Sequence, residues 1–291
     1  MENTFKIIEN KNKWFALSIA IILIGVVFLF VKGLDFGIDF KGGAVMKVEI
    51  GKTLSNDDIE DIRTVAANYD KDATARIVDG TKVEISSSKL SSDDLDKLLD
   101  DIKVKYSLDD DVQYSNSRRD ATIGDELKRS AIIASLVAIA LILVYVGIRF
   151  EFKTGISAII ALVHDLLVMI TVYTVFQVPV NNSFIAAMLT ILGYSINDTI
   201  VVFDRIRENK KTGKYKDYSS LANASITQTM SRSINTAFTT LITIVAIYIL
   251  GVSAIQEFAF PLIIGIVSGA YSSIFIASPI WVMLEKDNKL A

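Results

Sequence analysis

Six apolar runs punctuate the chain, at residues 14–32, 130–148, 155–177, 184–203, 234–252 and 258–284. Each is close to the ~20 residues a helix needs to cross hydrocarbon. Polar segments separate them, and the long one, 33–129, reads as an ordinary water-soluble domain. The first run has the charge order of a secretion signal, with Lys6, Lys11 and Lys13 before it. Lys32-Gly33-Leu34-Asp35 follows instead of a small-residue cleavage site, so the run is read as an uncleaved anchor.

Within the soluble stretch, alternation predicts strands at 44–50, 75–78, 82–85 and 112–115. Ser55 and Ser91 each precede an aspartate by three residues, Asp58 and Asp94, the spacing of a helix-starting capping box. A turn is expected at Asp79-Gly80. The order β-α-β-β-α-β is that of a ferredoxin-like sandwich. An internal echo supports it: Lys47-Val48-Glu49-Ile50 recurs as Lys82-Val83-Glu84-Ile85, and the segment from Leu54 to Ile59 recurs from Leu90 to Leu95. The predicted fold class is a polytopic α-helical membrane protein, with six spans and an α+β domain inserted after the first.

Composition agrees. Of 291 residues 51% are hydrophobic, with mean hydropathy +0.43, too apolar for an ordinary soluble domain. No cysteine is present, which excludes disulfides and thiolate metal sites, and one histidine leaves little room for other metal constellations. The aspartates at 57–58 and 109–111 admit a calcium site or, more simply, helix N-terminal charge and a solvated loop.

Charge adds direction. Residues 1–13, the turn at 149–153, the connection 205–233 and the tail 285–291, with Lys286 and Lys289, all carry Lys or Arg, whereas 178–182 and 253–257 carry none. Six spans with both termini cytoplasmic place every basic segment on one side. The domain 33–129, which begins to return to the membrane after Arg118-Arg119-Asp120, then lies outside.

The chemistry sits inside the spans. Asn197 and Asp198 interrupt the fourth, and a carboxylate at depth costs about 2.5–3.5 kcal/mol on insertion scales. Asp198 shares a helix face with Arg205, and Asn197 shares one with Asp204. The carboxylate either serves an ion route or only ties helices together. In the third span His164 is adjacent to Asp165, about 100° round the helix, and is a proton shuttle or a packing residue. Arg232, before the fifth span, is a counter-charge for Asp198 or an anchor that snorkels to water. Gly265 and Gly269 permit close helix contact or are merely tolerated. Pro261 and Pro279 make a kink possible. Gly37, Gly42 and Gly43, around Asp39, predict a tight bend; the Gly-Lys-Ser/Thr ending of a phosphate loop is missing.

Three motifs carry a resemblance over essentially the whole chain. They are Gly37-Ile38-Asp39-Phe40-Lys41-Gly42-Gly43, Val163-His164-Asp165, and the long run from Gly193 to Asn209 that includes Asp204-Arg205-Ile206-Arg207. They resemble the SecD/SecF family of the RND (resistance-nodulation-division) superfamily, and the Ile38-Asp39-Phe40 form is nearer its SecF branch. The resemblance implies a bacterial plasma-membrane subunit paired with SecD and associated with SecYEG. It implies use of a proton or sodium gradient to promote export of unfolded polypeptides, with no bound cofactor and no nucleic acid, in contact with membrane lipids. It also implies ion coupling at Asp198 and Arg232. An RND-like exporter of small molecules or lipids and a purely structural partner remain as alternatives. A membrane enzyme has no nucleophile–base or metal constellation behind it.

Overall fold

The computed structural model describes residues 5–285 except 79, 110, 120 and 150. The expected turn residue Asp79, the acidic-run member Asp110, Asp120 and the tail lysines Lys286 and Lys289 lie outside the described residues. The chain divides into two units, residues 36–133 and residues 1–35 with 134–291.

The smaller unit holds β1 (Gly43–Glu49), α3 (Asn56–Ala67), β2 (Thr74–Val78), β3 (Lys82–Ser87), α4 (Ser92–Tyr106) and β4 (Tyr114–Arg119), preceded by a single turn, α2 (Ile38–Lys41). The sheet order β2-β3-β1-β4, antiparallel throughout, is the ferredoxin-like arrangement. The sequence echo has a direct structural use. In the β1–β3 register Lys47 lies opposite Glu84, Val48 opposite Val83 and Glu49 opposite Lys82. Two Lys-Val-Glu segments paired head to tail thus put opposite charges across from each other at both ends. Lys47 Nζ reaches Glu84 at 3.0 Å, and Arg76 Nε joins the same carboxylate from β2 at 2.7 Å. The other face, Ala44, Met46, Val48, Val83 and Ile85, is buried with Ile62 and Leu98 of the two helices.

Both helices begin as the serine–aspartate spacing predicts, with reciprocal capping boxes at Ser55/Asp58 and Ser91/Asp94. The last strand differs from the reading: it runs from Tyr114 to Arg119, later than the expected 112–115. Val112 packs partly buried against the core. The residues 114–118 are largely exposed, so main-chain pairing to β1 makes the strand and no apolar alternation marks it. At the bend before β1, Gly42 and Gly43 have φ of +71° and +125°. A Cβ on Gly43 would lie 2.3 Å from the Ser87 carbonyl oxygen, so the second glycine is required twice over.

The larger unit carries helices long and apolar enough to cross a membrane: α1 (Lys11–Lys32), the greater part of α5 (Ala121–Arg149), α6 (Phe152–Phe176), α7 (Asn182–Lys211), α8 (Tyr218–Leu250), and α9 (Ser253–Ser272) continued by a π turn, Ser273–Ala277, into α10 (Ser278–Glu285). The protein is a multi-pass membrane protein. α6, α7 and the α9–α10 rod supply most of the buried side chains, whereas α1, α5 and the second half of α8 present exposed apolar ones such as Leu23, Leu141 and Phe238. Small residues bring the rods together: a Cβ on Gly25 would overlap Thr171, one on Gly265 would overlap Ile191, and one on Gly269 would press on Ser195.

Residues 205–233 hold the end of α7 and the first half of α8. Asn223 of α8 accepts from the backbone N–H groups of Ile7 and Ile8 through Oδ1, at 3.1 Å each, and donates to Glu9. Hydroxyls of Ser225 and Thr229 donate back to carbonyls four residues earlier, so the polar composition of this stretch stays compatible with helix.

The small unit has a predictable acid response. Asp58 is pulled down to about 2, chiefly by the Lys52 ammonium and then by Ser55. The Ser87 hydroxyl lowers Asp70, and the Ser91 hydroxyl lowers Asp94. A carboxylate depressed in the folded state adds stability above its unfolded value of roughly 4 and loses it as pH falls toward the folded one. Amide-exchange protection of residues 43–106 should therefore hold at about pH 5 and decline from about pH 4 to pH 2. Protection that stays level across that window would contradict the assignment.

Candidate ion-coupling site

Asp165 and Asp198, carboxylates well inside the membrane-crossing helices α6 and α7, have opposite environments. α7 starts cleanly because Asn181 caps it, accepting from Phe184 N–H at 3.0 Å. Seen down this helix, Ser195 and Thr199 face the bundle and are fully buried, Asp198 is half-buried, and Gly193 and Asn197 are exposed.

Asp165, on α6, is 1% exposed. Its Oδ2 accepts from Ser195 of α7 at 2.6 Å and from Ser272 of α9 at 2.8 Å. Its Oδ1 accepts from Ser268 of α9 at 2.6 Å and lies 3.2 Å from His164 Nδ1. The adjacent residues thus touch, despite the 100° that separates their Cβ directions. From His164 the network runs on: Nε2 lies 3.0 Å from Ser18 Oγ of α1, which donates to Tyr271, whose hydroxyl donates to the Trp14 carbonyl oxygen. Tyr271 also stacks on the imidazole. Three hydroxyls and an imidazole therefore saturate one carboxylate at the point where α6, α7 and α9 meet. None of these hydroxyls was singled out from sequence. Their signal is faint: Ser195 lies within the longest motif, and Ser268 lies between Gly265 and Gly269.

Asp198 is not saturated. Its Oδ2 is buried and has no hydrogen-bond partner among the described residues, and the same holds for the neighbouring Ser233 Oγ on α8. Ser233 and the π-turn residue Ser273 stand beside the carboxylate, and the Arg232 guanidinium exerts a coulombic pull on it without forming an ion pair. Ser273 is itself shared with Thr199, Oγ to Oγ1 at 2.8 Å. The structure thus brings together Asp198, Arg232 and two serines. A small cation, a water molecule or a proton on Oδ2 would each satisfy what the protein leaves open there.

The other expected residues take separate partners. Arg205 pairs with Glu208 at 3.0 Å rather than with Asp198 two turns away. Asp204 accepts from Arg149 of α5 at 3.2 and 3.3 Å. Arg207 is exposed near the end of α7. Beyond its own stretch of helix, no atom of the described residues lies within 4 Å of where a Cβ on Gly193 would stand, so no contact among them requires its smallness. Gly37, Asp39, Gly42 and Gly43 belong to the other unit.

The family model for the C-terminal part of the protein export membrane proteins SecD/SecF matches residues 103–287, and that for the SecD/SecF GG motif matches residues 27–53. The chain belongs to the SecD/SecF family. The SecF protein translocase subunit of Dictyoglomus turgidum is 38% identical over 277 residues, covering 93% of this chain and 94% of the relative. The fused SecDF of Bacillus subtilis is 37% identical, covering 96% of this chain and 39% of its own length. The crystal structure of SecDF from Thermus thermophilus, described as a translocon-associated membrane protein, superposes with a TM-score of 0.87 at 33% identity. It is covered over 98% of this chain and 39% of that one. A second SecDF structure, in a super-membrane-facing form, gives 0.71 at 30% identity. Within the SecD/SecF fold the chain corresponds to the SecF portion, and the glycine motif that bends the backbone before β1 lies inside the matched GG segment.

The contrast between the carboxylates predicts unequal costs. Asp165→Ala leaves three hydroxyls aimed at a void and should destabilise the protein by roughly 3 kcal/mol or more. Asp198→Ala, which removes an unsatisfied oxygen, should cost about 1 kcal/mol or less. Thermal unfolding in detergent checks this, and equal losses would contradict it.

Proposed function

We propose that the chain is the SecF subunit of a Sec translocase accessory unit. In this reading it pairs with SecD, associates with SecYEG and uses a proton or sodium gradient to promote polypeptide export. The single observation that carries ion coupling is the buried, unpartnered Oδ2 of Asp198 beside Ser233, Ser273 and Arg232. The pairing with SecD is supported by the relative in which the two names describe one chain. The basic connections support cytoplasmic termini and an outer position for the ferredoxin-like unit, and membership of the SecD/SecF family supports the plasma membrane.

The mechanism is physical. With Asp198 charged, Arg232 attracts it; with Asp198 neutral, that attraction disappears and the residue fits an apolar contact. Each state favours its own packing of α7 against α8 and the π turn. The membrane potential provides about 2.3 kcal/mol per charge per 100 mV, enough to bias an equilibrium of a few kcal/mol between two packings. The ferredoxin-like unit converts the change into movement against the exported chain.

A structural partner is the second reading, and Asp165 favours it, since its network ties three helices together without an open valence. Reconstitution with SecD and SecYEG separates the two readings. The Asp198→Asn variant should assemble as the wild type does and export at the rate seen without a gradient. Full gradient stimulation in that variant would sink the coupling role and leave the scaffold.

A further inference from the structure

We propose that the basic end of the bundle holds the phosphate of an anionic glycerophospholipid headgroup. A cavity of about 110 Å³ opens there among the ends of α5, α6, α7 and α10. Arg149, Arg207 and Lys210 line it, with Thr154, Phe203 and Trp281 among the other lining residues.

Three cations meet at one cavity, and their pairings leave charge over. Arg149 is engaged with Asp204. Lys210 is held loosely, 3.9 Å from Glu151 and 6.0 Å from the centre of the Tyr218 ring. Arg207, three residues before Lys210 and one helical turn away, forms no ion pair among the described residues and is exposed. Glu151, the only carboxylate among the described lining residues, is largely exposed. A 25-residue helix, α6, begins at the cavity with no side-chain cap, so its first N–H groups add to the pull on an anion. Thr154, in that first turn, is buried.

The apolar surroundings decide between sources of phosphate. Ile148 and Phe152, next in sequence to the lining residues Arg149 and Glu151, are 83% and 81% exposed. A free phosphate gains nothing from such surface, whereas the glycerol and acyl ester region of a lipid does. The cavity also lies at the end of the spans whose connections are basic, where anionic leaflet lipids concentrate. That last point rests on the proposed orientation; the cavity chemistry does not.

The test is lipid retention by the purified full-length protein in detergent, read by native mass spectrometry, and it is independent of which side the loops face. Phosphatidylglycerol and phosphatidylcholine are offered with the same acyl chains. The wild type should retain phosphatidylglycerol in preference. The double variant Arg207→Gln with Lys210→Gln should lower that preference by roughly tenfold or more, at ~1 kcal/mol per cation. Lys214→Gln with Lys216→Gln, which removes equal charge from the neighbouring connection, should leave the preference intact. Equal retention of both lipids by the wild type would overturn the proposal. So would an equal loss in the control variant, which would mark diffuse attraction, or displacement of phosphatidylglycerol by millimolar inorganic phosphate.

Discussion

Hydrocarbon offers no hydrogen bonds, so each polar side chain at depth must be answered by the protein or stay open to something mobile. This constraint sorts the larger unit. At Asp165 the answer is complete: Ser195, Ser268 and Ser272 donate, His164 leans in, and Ser18 and Tyr271 extend the chain of contacts to α1. At Asp198 it is incomplete. The saturated carboxylate fixes α6, α7 and α9 against one another, and the unsaturated one sits a turn further along α7 on that fixed frame.

Two consecutive serines join these environments. Ser272 closes the Asp165 network, while Ser273 opens the π turn and stands beside Thr199 and Asp198. π turns inside longer helices occur frequently at functional sites. Under the proposed coupling, the turn would let one side of the rod remain clamped while the other follows a change at Asp198. The small residues complete the device, since Gly265 and Gly269 let the rod approach α7 closely enough for single hydroxyls to span the gap.

Much of this was legible beforehand, for physical reasons. Apolar length gave the spans, because hydrocarbon thickness admits few solutions. The Ser-x-x-Asp spacing gave the starts of α3 and α4, because capping is local chemistry. Asp198 stood out because a carboxylate in an apolar run is costly. The Asp165 knot was not legible, because its donors are serines contributed by separate helices, and a serine in a membrane helix carries no mark of its partner. β4 was misplaced for a related reason: residues 114–118 bury no alternating face, and only pairing with β1 defines the strand. The contact of His164 with Asp165 defeated a helical-wheel argument, since a ring two bonds from the backbone reaches further round than its Cβ direction implies.

The central claim is that Asp198 is the membrane carboxylate whose protonation changes. Difference infrared spectroscopy on the reconstituted protein, across a pH step, reads protonated carboxyl groups directly. The account predicts a carboxyl band that appears in the wild type, persists in Asp165→Asn and vanishes in Asp198→Asn. A band lost with Asp165 and kept without Asp198 would contradict it.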